Sequence, residues 1–290
     1  MRHGSAHVNG VRLHYVTQGT GKLVILLHGF PEFWYSWRHQ IPALAEHFRV
    51  VAPDMRGYNE SDKPAGVANY RLDLLTADVM GLMRAFGEEK AIIVGHDWGG
   101  GVAWTFATDY PQATERLIVL NCPHPGAFQK QLRANFRQLG RSWYMFFFQL
   151  PWLPEALVRI NRRRFVEQAF RGMAIRKEAF PDEDLRRYAE ALAKPGALTA
   201  AINYYRAAFR EFVRRGERQF AKIACPTLLI WGEEDAALGK ELTYNMEPYF
   251  TNRFEIKYIP RCSHWVQQEQ PELVNQYMLE FLADLLPTRS

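Results

Sequence analysis

The stretch Ala91-Ile92-Ile93-Val94-Gly95-His96-Asp97-Trp98-Gly99-Gly100-Gly101 limits the folds open to this chain more than any other. An apolar run ends in a glycine, an acid follows two residues later, and three further glycines come after a tryptophan. That pattern suits a buried strand turning sharply into a helix, with the glycines leaving room for a strained backbone and close helix–strand packing. It has the G-x-S-x-G form of a nucleophile elbow, with Asp97 in the place of the serine. A carboxylate there attacks a saturated carbon and makes an alkyl ester, a different task from acyl transfer by serine. The alternative is an acid that merely caps the following helix.

The surrounding pattern supports a strand reading. Leu23–Leu27, Val50–Asp54, Leu117–Leu120, Thr227–Trp231 and Phe254–Ile259 are strand-like, and Asn9-Gly10 marks a hairpin at an N-terminal antiparallel edge. Helical spacing covers 71–86, about 98–110 and roughly 272–286. Alternating strands and helices predict an α/β fold with a mostly parallel, eight-stranded sheet and helices on both faces. From 121 to about 220 no strand signal appears, and breaks fall at Pro151, Pro154, Pro181 and Pro195. The expected organisation is a core of 1–122 and 222–290, with a helical cap at 123–221.

In such sheets functional residues gather at the carboxyl ends of strands. Asp97 follows the elbow strand, Asp235 the next-to-last strand, and His264 the last. This is the chain order of an α/β-hydrolase triad, in which a carboxylate orients a histidine that draws a proton from water. Glu233 and Glu234 compete with Asp235, and Asp54 is expected to organise the loop around Arg56. His28-Gly29-Phe30-Pro31 sits where oxyanion-hole loops lie, so the amides of Phe30 and Trp98 are expected to face one oxygen. Taken on its own, the stretch reads more simply as a Gly-Pro turn.

His28-Gly29-Phe30-Pro31-Glu32, Trp34-Tyr35-Ser36-Trp37-Arg38 and Gly95-His96-Asp97-Trp98-Gly99-Gly100 together resemble the soluble type of epoxide hydrolase. The likeness is closest over residues 24–125. It implies two cap tyrosines that hydrogen-bond and protonate the epoxide oxygen. Tyr144, before Phe148-Gln149, and Tyr205, in Asn203-Tyr204-Tyr205-Arg206, match their motifs. The resemblance implies hydrolysis of a lipophilic epoxide to a vicinal diol through an ester on Asp97, with no cofactor and no metal. His28, Pro31, Trp143, Phe148, Trp152 and Trp265 are expected to bind substrate, and Phe146 is a further pocket-wall candidate.

Two other functions fit part of the pattern. Haloalkane or haloacid dehalogenases use the same nucleophile, and the haloalkane type also follows it with Trp. But Phe30 supplies no side-chain donor where the haloalkane type often has Asn, and Trp98 replaces the Arg typical after the nucleophile in fluoroacetate dehalogenases. A non-catalytic binding protein of this fold would be favoured by loss of a triad residue. A net charge of +5 reads as a solvated, slightly basic surface, and no nucleic-acid module is recognised. No apolar signal core and no membrane anchor are apparent, and three cysteines lack paired metal spacing. A reduced, cytoplasmic monomer or homodimer without disulfides is expected.

Overall fold

The apolar run Leu23–Leu27 is closed to solvent on both sides because it lies in the middle of a sheet. The computed structural model describes residues 1–215 and 220–286, so the ends of the expected cap and second core segment (216–219 and 287–290) lie outside the described residues. Its strands are β1 (Arg2–Val8), β2 (Val11–Gln18), β3 (Leu23–Leu27), β4 (Arg49–Pro53), β5 (Ala91–His96), β6 (Thr114–Leu120), β7 (Thr227–Gly232) and β8 (Phe254–Ile259). They lie in the order β1-β2-β4-β3-β5-β6-β7-β8. Pairings from β4 to β8 are parallel, and those of β1 with β2 and β2 with β4 are antiparallel. Asn9 and Gly10 join β1 to β2 with φ of 47° and 77°, the positive pair that a type I′ hairpin turn needs.

The early helices are α1 (Gln40–Ala45), α2 (Leu72–Ala85) and α3 (Trp98–Asp109). Between β6 and β7 the chain leaves the sheet through α4 (Pro125–Ala134), α5 (Phe136–Arg141), α6 (Trp143–Phe147), α7 (Leu153–Ile160), α8 (Arg162–Phe170), α9 (Asp182–Ala193) and α10 (Ala197–Arg215). Two helices close the chain, α11 (Val266–Glu269) and α12 (Pro271–Phe281). Two of the expected breaks act as helix starts. Pro154 lies in the first turn of α7 and Pro181 stands at the N-terminal boundary of α9, where a missing N–H costs nothing.

Side-chain alternation along the strands splits the core in two. Leu23, Ile25 and Leu27 pack with Ile93, Val119 and the apolar faces of α2 and α3. Val24 and Leu26 pack with Ile92, Val94, Ile118 and the buried sides of α1 and α12. Each fully buried aliphatic side chain is worth roughly 1.5–3 kcal/mol. The chain reverses its direction across the sheet between β3 and β5. A crevice therefore opens at their carboxyl ends, with residues 28–32 on one side and Asp97 on the other.

Candidate active site

Asp97 has φ 50° and ψ −120°, a conformation a non-glycine residue adopts only when its surroundings enforce it. The neighbouring glycines provide that enforcement. A Cβ on Gly95 would lie 2.2 Å from the Gly99 oxygen, and one on Gly99 would lie 2.1 Å from the Leu27 oxygen. Helix α3 is thereby drawn onto β3 and β5. Asp97 occupies the N-cap position, yet its side chain makes no capping hydrogen bond. The helix-cap explanation fails, and the carboxylate points elsewhere.

It points at the expected partners. Oδ1 accepts from the Phe30 amide at 2.8 Å, and Oδ2 lies 3.5 Å from His264 Nε2. His264 Nδ1 lies 2.7 Å from Asp235 Oδ2. Asp235 is fixed in turn by Asn121 Nδ2 at 2.8 Å and by the amides of Ala237 and Leu238 at 2.8 and 2.9 Å. Glu233, its sequence competitor, pairs with Lys240 instead. The Trp98 amide opens α3, where helix N–H groups have no intrahelical acceptor.

The charges support one another. Burial opposes ionisation of Asp97, but the hydrogen bond and charge of His264, the field of His96 and the Phe30 amide hold its carboxyl below the ordinary range. Burial likewise opposes ionisation of Asp235 and is outweighed by His264. For His264, burial would favour the neutral ring, yet the two carboxylates raise its proton affinity well above that of an ordinary histidine.

Tyr144 and Tyr205 face each other with ring centroids 5.8 Å apart and an interplanar angle of 82°. Burial and then the Asp97 charge raise the proton affinity of both phenols, so both are neutral donors. The Trp98 and Tyr205 rings pack edge to face, with centroids 4.9 Å apart and an interplanar angle of 90°. Adjacent on α10, Tyr204 and Tyr205 do turn different ways. The Tyr204 hydroxyl donates to the Arg56 main-chain oxygen at 2.7 Å, away from the cleft.

Asp97, Tyr144 and Tyr205 separate two cavities. One, of about 370 Å³, is also lined by Phe30, Pro31, Trp143, Phe148, His264 and Trp265. The other, of about 200 Å³, is lined by Trp98, Cys122, Phe128, Met145 and Leu238. A larger surface depression of about 510 Å³ is walled by Arg162, Arg163, Asp182 and Glu183 and includes no triad residue.

Three pocket expectations need correction. His28 is fully buried beneath the site. Its Nδ1 donates to the Gly29 oxygen at 2.9 Å and its Nε2 accepts from the Met55 amide at 3.0 Å. It ties two loops together, and burial lowers its proton affinity. Trp152 is 72% exposed and lines neither cavity, because the turn before α7 directs it outward. Phe146 is also exposed and packs on Phe209 rather than on the pocket. Asp54 does organise its loop, holding Asn59 and Trp34 at 2.9 and 3.1 Å, while Arg56 pairs with Asp78. The Phe30–Pro31 peptide is cis.

The sequence reading missed Glu32 and His96. Glu32 is buried and takes hydrogen bonds from the Gly29 amide and the Gln267 and Gln268 side chains, while His96 Nδ1 lies 2.8 Å from it. No group of three or more metal-ligating side chains comes together among the described residues.

The α/β-hydrolase fold family model matches residues 22–271. Epoxide hydrolase 4 of Mus musculus is 41% identical over 95% of this chain and 77% of its own length. The chain belongs to the epoxide hydrolases of the α/β-hydrolase fold. AB hydrolase superfamily protein YfhM of Bacillus subtilis is 43% identical, with 95% and 96% of the two chains covered. An inhibitor-bound epoxide hydrolase of Bacillus megaterium superimposes with a TM-score of 0.86 at 34% identity, covering 97% of this chain and all of the other.

Proposed function

We propose that this protein converts lipophilic epoxides to vicinal diols in two steps, under a cap formed by residues 123–221. Asp97 attacks a ring carbon, forming a new C–O bond as the ring C–O bond breaks. Tyr144 or Tyr205 gives the departing alkoxide a proton, and the product is a hydroxyalkyl ester on Asp97. Esterification removes one of the two carboxylate charges that keep His264 protonated, so the ring loses its proton and becomes a base. The proton it gives up balances the one the phenol donated.

His264, held by Asp235, then draws a proton from water. The hydroxide adds to the ester carbonyl, and the Phe30 and Trp98 amides receive the negative oxygen. Collapse breaks the acyl C–O bond, and the diol leaves with the proton from His264. The observation that carries this reading is the pair of neutral phenols facing the same cavity as Asp97. A departing alkoxide needs a proton, whereas a halide does not. The Trp98 ring, whose N–H a dehalogenase would aim at halide, packs edge to face against Tyr205. The complete triad argues against a non-catalytic binder. Three free cysteines suit a reducing, cytoplasmic setting.

Single-turnover reaction in heavy-oxygen water tests the ester route. Label is expected in the Asp97 carboxylate, with the first-turnover diol unlabelled. Labelled diol with an unlabelled Asp97 peptide would mean direct attack by water.

A further inference from the structure

Phe136, Leu139, Trp143, Phe146 and Leu150 recur every three or four residues through α5, α6 and the turn that follows. That spacing ordinarily marks the side a helix buries. Here all five are exposed, Phe136 at 88% and Trp143 at 63%. Helix α7 repeats the inversion. Pro154, Glu155 and Val158 form its buried side, yet Leu157 and Ile160, about one turn apart, are 51% and 80% exposed. Arg206 joins these segments by donating to the main-chain oxygens of Phe148 and Leu150 and pairing with Glu155. Phe209, in ring contact with Phe146, extends the apolar surface along α10 to the exposed Phe212 and Val213. Exposed apolar side chains gathered on neighbouring helices in this way mark a contact surface.

Its charge indicates what it contacts. Between Pro125 and Arg176 the sequence has ten lysines and arginines against two acids, and of these Arg141 and Arg171 pair with Glu241 and Asp182 from outside the stretch. Arg137, Arg159, Arg163 and Arg164 are exposed and have no ion-pair partner among the described residues. Two copies meeting through this face would oppose two basic surfaces. Trp, Phe, Leu and Ile interspersed with Arg are instead the composition of a bilayer interface, where apolar groups enter the acyl boundary and arginines meet anionic headgroups. No described helix is long and apolar enough to cross a membrane, so the contact is with one leaflet.

We propose that this face of α5–α8 docks on bilayers carrying anionic lipid. Trp143 and Arg141 also line the larger cavity, so its mouth adjoins the docked face. A lipophilic substrate would enter there directly from the membrane. That last step rests on the epoxide reading, and docking does not.

The test is sedimentation of the full chain with sucrose-loaded vesicles. Vesicles of phosphatidylcholine mixed with phosphatidylglycerol are expected to bind it roughly tenfold or more tightly than phosphatidylcholine alone, with the difference shrinking at high salt. Two variants, Phe136→Ser/Leu157→Ser/Ile160→Ser and Arg163→Glu/Arg164→Glu, should each lose most of that binding. Both should retain wild-type circular dichroism and turnover of a small water-soluble epoxide. Failure of the wild type to bind the anionic vesicles overturns the proposal. So does unchanged binding by the apolar variant, or a homodimer that this variant dissociates while wild-type vesicle binding is absent. Because sedimentation involves no turnover, its failure is distinct from failure of the catalytic reading.

Discussion

His96 Nε2 donates to the main-chain oxygen of His264 at 2.9 Å, so the residue before the nucleophile holds the loop that carries the base. Its other nitrogen meets Glu32, which also fastens the Phe30 loop and the start of α11. Three loops from distant parts of the chain are joined at one buried carboxylate. Glu32→Gln replaces an acceptor oxygen with an NH₂ among donors. A loss of about 1–3 kcal/mol in stability is expected from one unsatisfied buried polar group. Denaturant midpoints measure it, and an unchanged midpoint would show that the junction is dispensable.

His264→Gln keeps the shape of the loop and removes the base. Attack by Asp97 should continue while ester hydrolysis stops. Intact-protein mass spectrometry with a reactive epoxide should therefore show an adduct of one substrate mass. Wild-type turnover with no adduct would refute the role given to His264.

On the proposed route each tyrosine supplies one hydroxyl to the same departing oxygen. Tyr144→Phe or Tyr205→Phe should slow the burst of alkylation by roughly ten- to a hundredfold, and the double variant should nearly abolish it, within the range of general-acid effects. Stopped-flow tryptophan fluorescence follows the burst. If the double variant alkylates at the wild-type rate, the phenols are not the acid.

The resting triad also sets a pH dependence of stability. An unfolded histidine titrates near pH 6.5, and folded His264 binds its proton more tightly. Its contribution is full below about pH 6.5 and is lost as pH rises through the folded value. Each tenfold gain in proton affinity is worth about 1.4 kcal/mol. The Tm of wild type minus that of His264→Gln should therefore shrink as pH rises above about 6.5. A constant difference would mean that His264 is not held protonated.

Most of the sheet was legible because apolar runs and hairpin chemistry are local signals. The triad was legible because each member follows a strand, and strand ends converge at the crevice between β3 and β5. Glu32 left no such trace, since its partners Gln267 and Gln268 are 235 and 236 residues away. Trp152 and Phe146 were misplaced for a different reason. Periodicity reveals that a helix has an apolar stripe but not which side the protein covers. His28 was expected at the substrate, whereas its ring turns inward to secure the loop whose next amide but one, that of Phe30, does the work.

Asp97, Tyr144 and Tyr205 stand at the meeting point of two cavities, not at the floor of one. A corridor of this form addresses the middle of a molecule. On the proposed route an epoxide within a chain would extend one substituent each way, and the unequal volumes, about 370 and 200 Å³, would act as a ruler that presents one ring carbon to Asp97 in preference to the other. Enlarging the narrow arm at Met145 or Leu238 would then move the point of attack along the substrate, with no change to any group that makes or breaks a bond.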